Sequence, residues 1–166
     1  ERDLVRRLAS TFKAPAAELE AKVNDSIEEL KAAQKRIAEL EAKEALSLVP
    51  SLTSAATKVA GLDVVAQQLN SPLSADQLRN LTSAVMQALG EKAVVILGSS
   101  NDEKPLVMVA SAPKAQQQGV RAGDLAKIAA TVLGGGGGGK ADFAQGGGTD
   151  SSKLSAALQQ AVAAIG

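Results

Sequence analysis

The stretch AVVILGSSNDEKPLVMVA, residues 93–110, decides the fold of this 166-residue chain. Its two ends, 93–97 and 106–110, are nearly continuous apolar runs with the length of strands. Strands of this kind are buried on both faces of a sheet, so helices are expected on both sides. The connection from Gly98 to Pro105 is short and polar, which predicts an antiparallel hairpin.

The sequence around this hairpin predicts one more strand, three helices and a glycine-rich loop. Residues 62–69 alternate loosely, as a strand does. Ser74, with Gln77 three residues later, predicts a capping box at the start of a helix that Gly90 ends. Amphipathic patterns over 121–133 and 151–165 predict the other two helices. The predicted order is βαββα, glycine loop, α. The predicted domain covers residues 51–166, of which residues 51–60 form the linker from the first part of the chain.

The first 50 residues predict a helical arm. A short helix over 1–13 ends at Ala14-Pro15, because proline disfavours a helical residue before it. A second helix over about 16–48 has apolar residues at heptad spacing and a mixed-charge surface elsewhere. Its stripe predicts an antiparallel pair with the first helix and dimerisation between copies, with a spacer as the alternative. The predicted dimerisation residues are Leu19, Val23, Ile27, Leu30, Ile37 and Leu40.

The fold class is therefore α/β (α+β), with a long helical or coiled-coil arm followed by a small mixed-sheet globular domain with three or four strands and flanking helices. Only two residues are aromatic, both Phe, so Ala, Val, Leu and Ile must fill the core.

Two absences argue against catalysis. The sequence has no His and no Cys, which removes the usual general base, the thiolate nucleophile and the preferred zinc ligands. No apolar run is long enough to span a membrane. The chain starts with Glu1 in a helical pattern, which indicates a fragment of a larger protein. We therefore expect a binding module, with no catalytic residue and no metal.

The segment GGGGGGKADFAQGGGTD, residues 134–150, has nine glycines among 17 residues. It could be a flexible linker, but it lies between elements that must pack together in one domain. Consecutive glycines let the backbone approach a ligand and present amide groups to an anion, and Lys140 adds a positive charge. Ala141 stands where a nucleotide-binding P-loop has Ser or Thr, which argues against ATP.

The run from Lys127-Ile128-Ala129 through this glycine segment to the final helix resembles the C-terminal domain of alanyl-tRNA synthetases. Leu8-Ala9 and Phe12-Lys13-Ala14-Pro15, followed by the charged helix, resemble the arm before that domain. The sequence departs from the family at Ala141, where Pro is common.

This resemblance implies a fragment of an alanine–tRNA ligase, a cytoplasmic aminoacyl-tRNA synthetase of protein biosynthesis. The fragment would contact the elbow of alanine tRNA, link aminoacylation to editing and contribute to a dimer. The ATP, magnesium and zinc of the parent enzyme would bind outside it, and neither DNA nor a membrane is an expected partner. The residues expected to bind RNA are Gly136, Gly137, Gly138, Gly139, Lys140, Asp142, Gln145, Lys127 and Lys114.

Two alternatives remain open. The DHH phosphoesterases end in the same globular fold, but there a His typically follows the glycine loop, where this chain has Lys140. The chain could also be a structural oligomerisation module without RNA affinity, whose glycines only permit close helix packing. Phe143 is expected in the core rather than as a surface for stacking bases.

Overall fold

The computed structural model describes residues 2–101 and 104–166. Glu1, at the predicted helical start, and Asp102 and Glu103, in the predicted polar connection, lie outside the described residues. The chain divides into two compact units between Lys43 and Glu44. The helices are α1 (Arg2–Phe12), α2 (Leu19–Leu46), α3 (Val49–Ser54), α4 (Ala75–Leu89), α5 (Pro113–Gln117), α6 (Ala122–Val132) and α7 (Leu154–Ala163), with 3₁₀ turns at Ala16–Glu18 and Ser151–Lys153. The strands are β1 (Thr57–Val59), β2 (Leu62–Gln68), β3 (Ala93–Asn101), β4 (Lys104–Ser111), β5 (Gly137–Gly139) and β6 (Phe143–Gly147).

The second unit is built on a mixed sheet with the strand order β1-β2-β3-β4-β6-β5. Strands β2 and β3 are parallel and joined through α4, whereas every other neighbouring pair is antiparallel. The predicted antiparallel pairing within residues 93–110 is confirmed. The predicted three or four strands are too few, because the sheet has six among the described residues.

The two central strands are covered on both faces, as their apolar sequences predict. Val94 and Ile96 of β3 belong to a core that includes residues of α6 and α7, whereas Val95 and Leu97 belong to a core with α4. Small side chains line the first core, among them Ala126 of α6. Alanines let α6 approach the sheet closely, which matters for the glycine segment.

Residues 51–60 are not a linker. Leu52 of α3 is 6% exposed and packs in the core on the α4 side. Strand β1 then pairs with β2 across a two-residue turn, Ala60-Gly61, whose φ angles are 51° and 78°. Positive φ at both positions is typical of the tight hairpin turn that matches strand twist. The predicted division at residues 50 and 51 falls inside α3.

The predicted signals at the ends of α4 are confirmed. The Gln77 amide N–H donates to Ser74 Oγ at 3.2 Å, and the Ser74 amide donates to Gln77 Oε1 at 2.9 Å. Gly90 caps the other end with φ of 88°. The predicted helices over 121–133 and 151–165 are also present. Helix α6 is one residue shorter at each end, whereas α7 begins three residues later, after a 3₁₀ turn, and ends two residues earlier. The sequence does not predict α5.

In the first unit, the predicted pairing of the short helix along the long one is wrong. Helix α1 has no buried residue, and Leu4, Val5 and Leu8 stay 39–54% exposed. The short helix has 11 residues and α2 has 28, so α1 is too short to cover the apolar stripe of α2. The stripe therefore remains on the surface of this chain.

Candidate functional site

The glycine segment forms a hairpin rather than the predicted loop. Strand β6 pairs with β4 on one side and with β5 on the other, so β5 is the edge strand of the sheet. The Lys140 amide donates to the Phe143 carbonyl at 2.9 Å, and the Gly147 amide donates to the Gly136 carbonyl at 3.1 Å. Glycine is depleted in strands, but the all-glycine strand β5 is held in place because it pairs with β6 and packs on α6.

The odd-numbered glycines of the hairpin are required by close packing. A Cβ atom on Gly137 would lie 2.7 Å from the Ala126 carbonyl oxygen of α6. A Cβ atom on Gly135 would lie 2.1 Å from the Gly147 carbonyl oxygen, and one on Gly139 would lie 2.6 Å from Ala144 Cα. These three positions have no room for a side chain.

Two even-numbered glycines of the run, Gly136 and Gly138, have open surroundings. A Cβ atom on Gly136 or Gly138 would meet nothing within 4 Å, and both residues are exposed. Successive residues of a strand face opposite sides, so the alternation follows from the strand itself. Half of the run therefore serves packing, and Gly136 and Gly138 leave bare backbone at the surface.

A cavity of about 320 Å³ lies where the β5–β6 hairpin meets α6, and we call it the α6-side cavity. Its charged lining residues are Arg121, Asp124, Lys127 and Lys140, three cations against one carboxylate. The Ala122 and Gly123 amides at the start of α6 donate to the carbonyls of Ala141 and Lys140, at 2.8 and 3.0 Å. Because these two amides are already bonded, the side chains supply the positive charge for an anion.

A second cavity, of about 300 Å³, lies towards α4, and we call it the α4-side cavity. Its lining includes Arg79 of α4, Lys140, Asp142, Phe143 and Gln145. The Arg79 guanidinium lies over the Phe143 ring, 5.2 Å from its centroid, and Arg79 Nη2 donates to Gln145 Oε1 at 3.4 Å. Phe143 is partly buried against the core, as predicted.

Most residues expected to bind RNA come together at these cavities. Gly137, Gly138, Gly139, Lys140 and Lys127 line the α6-side cavity, and Asp142 and Gln145 line the α4-side cavity. Gly136 is exposed but lines neither one.

Lys114 is placed differently, because it lines neither cavity. Its Nζ lies 2.7 Å from Glu91 Oε2, and this hydrogen-bonded ion pair holds the pKa of Glu91 below its ordinary value.

Sequence reasoning missed Arg79 and Arg121 as site residues. Arg121 had a usable signal, since it immediately precedes the helix that packs on the glycine segment. Arg79 had none, because its partner Gln145 is 66 residues away in sequence.

The residues predicted for dimerisation lie on the first unit. Ile27, Leu30, Ile37 and Leu40 of α2 are 44–58% exposed, and Leu19 and Val23 are half-buried. Four large apolar side chains on one exposed helix are unusual for a monomer surface.

Two further kinds of site are absent among residues 2–101 and 104–166. No group of three or more carboxylate side chains there is placed to hold a metal ion. No helix in the same ranges has the length and apolar character needed to cross a membrane.

The DHHA1 domain family matches residues 61–166. The chain is 46% identical over its whole length to an alanine–tRNA ligase from Leifsonia xyli subsp. xyli, and 40% identical over 99% of its length to one from Paenarthrobacter aurescens. It spans 19% of the length of each of these two relatives. Among solved structures, the C-Ala domain of Aquifex aeolicus alanyl-tRNA synthetase superposes with a TM-score of 0.61 at 26% identity, covering 66% of this chain and 96% of that domain.

Proposed function

The chain belongs to the DHHA1 domain family, and on this premise we propose that it is the C-terminal, tRNA-binding part of an alanine–tRNA ligase. Similarity to such ligases along both units supports the assignment. The observation that carries the RNA role is the edge strand β5, whose exposed Gly138 lies between cavities lined by Arg79 on one side and by Arg121 and Lys127 on the other.

Strand β5 suits a compact, folded RNA. RNA is recognised largely by shape, by unstacked bases and by its backbone. The bare backbone at Gly136 and Gly138 can lie against a flat base-paired surface, such as the outermost tertiary pair of the tRNA elbow. Arg121, Lys127 and Lys140 would meet phosphates, a contact that weakens as salt displaces it.

In this proposal the elbow contact links aminoacylation to editing in a cytoplasmic ligase. The chemistry of both reactions, with its ATP, magnesium and zinc, belongs to parts of the ligase outside this chain. The exposed stripe of α2 would contribute to dimerisation.

A structural oligomerisation module without RNA affinity is the second candidate. The packing of Gly135, Gly137 and Gly139 favours it, because close contacts alone explain why these positions hold glycine, without any ligand. The exposed Gly136 and Gly138 have no such reason, which favours RNA binding. A phosphate-binding role of the DHH phosphoesterase kind is weakened by Lys140, where those enzymes typically have His.

The test is the affinity of the 166-residue chain for folded alanine tRNA and for an unrelated tRNA, at low and moderate salt. We expect roughly micromolar affinity for both, falling with a log–log salt slope of about −2 to −3 if three cations meet phosphates.

The variant Gly138→Leu places a side chain on the bare strand and should abolish binding while the chain still folds, because Cβ at this position has free space. Ala156→Leu, at an exposed position of α7, is the matched control and should bind as the parent chain does. A folded parent chain with no detectable affinity at low salt would contradict the RNA role and leave the oligomerisation module.

A further inference from the structure

We propose that the α4-side cavity receives a single exposed nucleobase, which stacks on the Arg79 guanidinium. The proposal deepens the RNA role and rests on it. It assigns the base to one side of β5 and the phosphates to the other.

Arg79 takes over the stacking position that Phe143 would otherwise offer. Its guanidinium lies over the Phe143 ring, 5.2 Å from the centroid, so a base on that side would meet the guanidinium rather than the ring. Arg79 is itself an exposed residue. A guanidinium is planar and weakly hydrated, so it stacks on rings far better than an ammonium does. The hydrogen bond to Gln145 Oε1 and the ring beneath it hold the guanidinium in place.

The polar groups of this cavity fit a base better than a phosphate. The Asp142 carboxylate repels a phosphate but accepts hydrogen bonds from N–H groups of a base or from a ribose hydroxyl. Gln145 accepts from Arg79 through Oε1, which leaves its amide N–H groups to donate to a carbonyl or ring nitrogen. The cavity therefore offers a planar cation, an acceptor and a donor.

In the α6-side cavity, positive charge dominates the lining. Arg121, Lys127 and Lys140 face a single carboxylate, Asp124, which suits phosphate. Gly138, Gly139 and Lys140 line both cavities, so Lys140 can meet the phosphate of a nucleotide whose base lies on the α4 side. With about 300 Å³, the α4-side cavity is at the small end of ligand sites, which suits one base.

The experiment compares Arg79→Lys with Arg36→Lys, the same exchange at an exposed arginine of α2 that lines neither cavity. Each variant is titrated with intact alanine tRNA and with the same tRNA made abasic at one unpaired base of the elbow, the base whose removal weakens binding to the parent chain most. Lysine keeps the charge but loses the planar stack. We expect Arg79→Lys to weaken binding of intact tRNA roughly 5- to 100-fold with an unchanged salt slope, and Arg36→Lys to leave it unchanged. The abasic tRNA should bind the parent chain and Arg79→Lys about equally.

The outcomes separate this proposal from the one on which it rests. If the parent chain does not bind tRNA, the RNA role fails and the base site fails with it. If the parent chain binds and Arg79→Lys binds equally well, or loses the same factor on both tRNAs, the base site is overturned and the RNA role stands. Thermal unfolding of each variant checks the fold. If Arg79→Lys is destabilised, Asp142→Asn decides instead, with weaker binding expected for intact tRNA alone.

Discussion

Neighbouring glycines in β5 have unlike surroundings, and this difference can be measured as stability. Gly137→Ala forces a methyl group to within 2.7 Å of the Ala126 carbonyl oxygen, whereas Gly138→Ala meets nothing within 4 Å. We expect the first change to lower the free energy of unfolding by about 1–3 kcal/mol, as overpacking does. The second should leave it unchanged or raise it by up to about 1 kcal/mol, because alanine restricts the unfolded chain.

Chemical denaturation of both variants and the parent chain measures these differences. If both variants lose the same free energy of unfolding, the two glycines do not differ in their surroundings. That result would contradict the alternation of packed and open positions in β5.

Residues whose partners are close in sequence could be predicted, and residues with distant partners could not. Ser74 and Gln77 cap one turn of helix, and Gly90 ends the same helix, so the local sequence specifies both. The contact of Arg79 with Gln145 depends on how α4 lies across β3 and β4. The sequence of α4 contains no information about that placement.

Among the strands, those with a clear hydrophobic pattern in their sequence could be predicted, and those without one could not. Strands β3 and β4 contain the continuous apolar runs 93–97 and 106–110, which the sequence identifies because burial on both faces demands them. Their ends at 98–101 and 104–105, predicted as a connection, also pair as strands. Strand β1 has three residues and no buried one, and its turn, Ala60-Gly61, lacks the Asn or Asp that signals a tight hairpin. Strand β5 consists of glycine alone, so it has no side-chain pattern to detect.

The exposed stripe of α2 leads to a prediction about association. Leu30 and Ile37 are 58% and 54% exposed and one heptad apart. If the stripe pairs with a second copy, Leu30→Asp with Ile37→Asp should convert a dimer into a monomer, because each carboxylate would be buried without a partner. Sedimentation equilibrium over a range of concentrations measures the association constant.

Ala38→Asp combined with Ala32→Asp, both at exposed positions, is the control for charge and helix propensity. It places the same residue on α2 outside the predicted seam, and it should leave the dimer intact. A parent chain that stays monomeric at high concentration would contradict the dimerisation proposal and leave α2 as a spacer.

For the whole molecule, the absence of His and Cys predicts an unusual response to pH. Folding lowers the pKa of Asp150, chiefly through the Ser152 hydroxyl and also through Lys153, and lowers that of Glu91 through Lys114. A lowered pKa in the folded state stabilises the fold above the unfolded values of 3.8 and 4.5, and the benefit is lost as the pH falls through the folded values. The thermal midpoint should be nearly constant between about pH 6 and 9 and should decline below about pH 4.5.

Thermal unfolding followed by circular dichroism across this range measures the response. Asp150→Asn removes one of the two carboxyl groups whose pKa is lowered by folding. The variant should therefore lose less stability in acid than the parent chain. A midpoint that changes markedly between pH 6 and 9 would contradict the prediction.

The strict alternation in β5 also bears on how its gene can change. Deletion of one codon would shorten the run from six glycines to five. Because strand residues alternate sides, losing one glycine would shift all that follow to the opposite face. Lys140 would move into the place of Gly139, where a Cβ atom lies 2.6 Å from Ala144 Cα. The register of the hairpin therefore fixes the number of glycines in the run, although the run resembles a flexible linker.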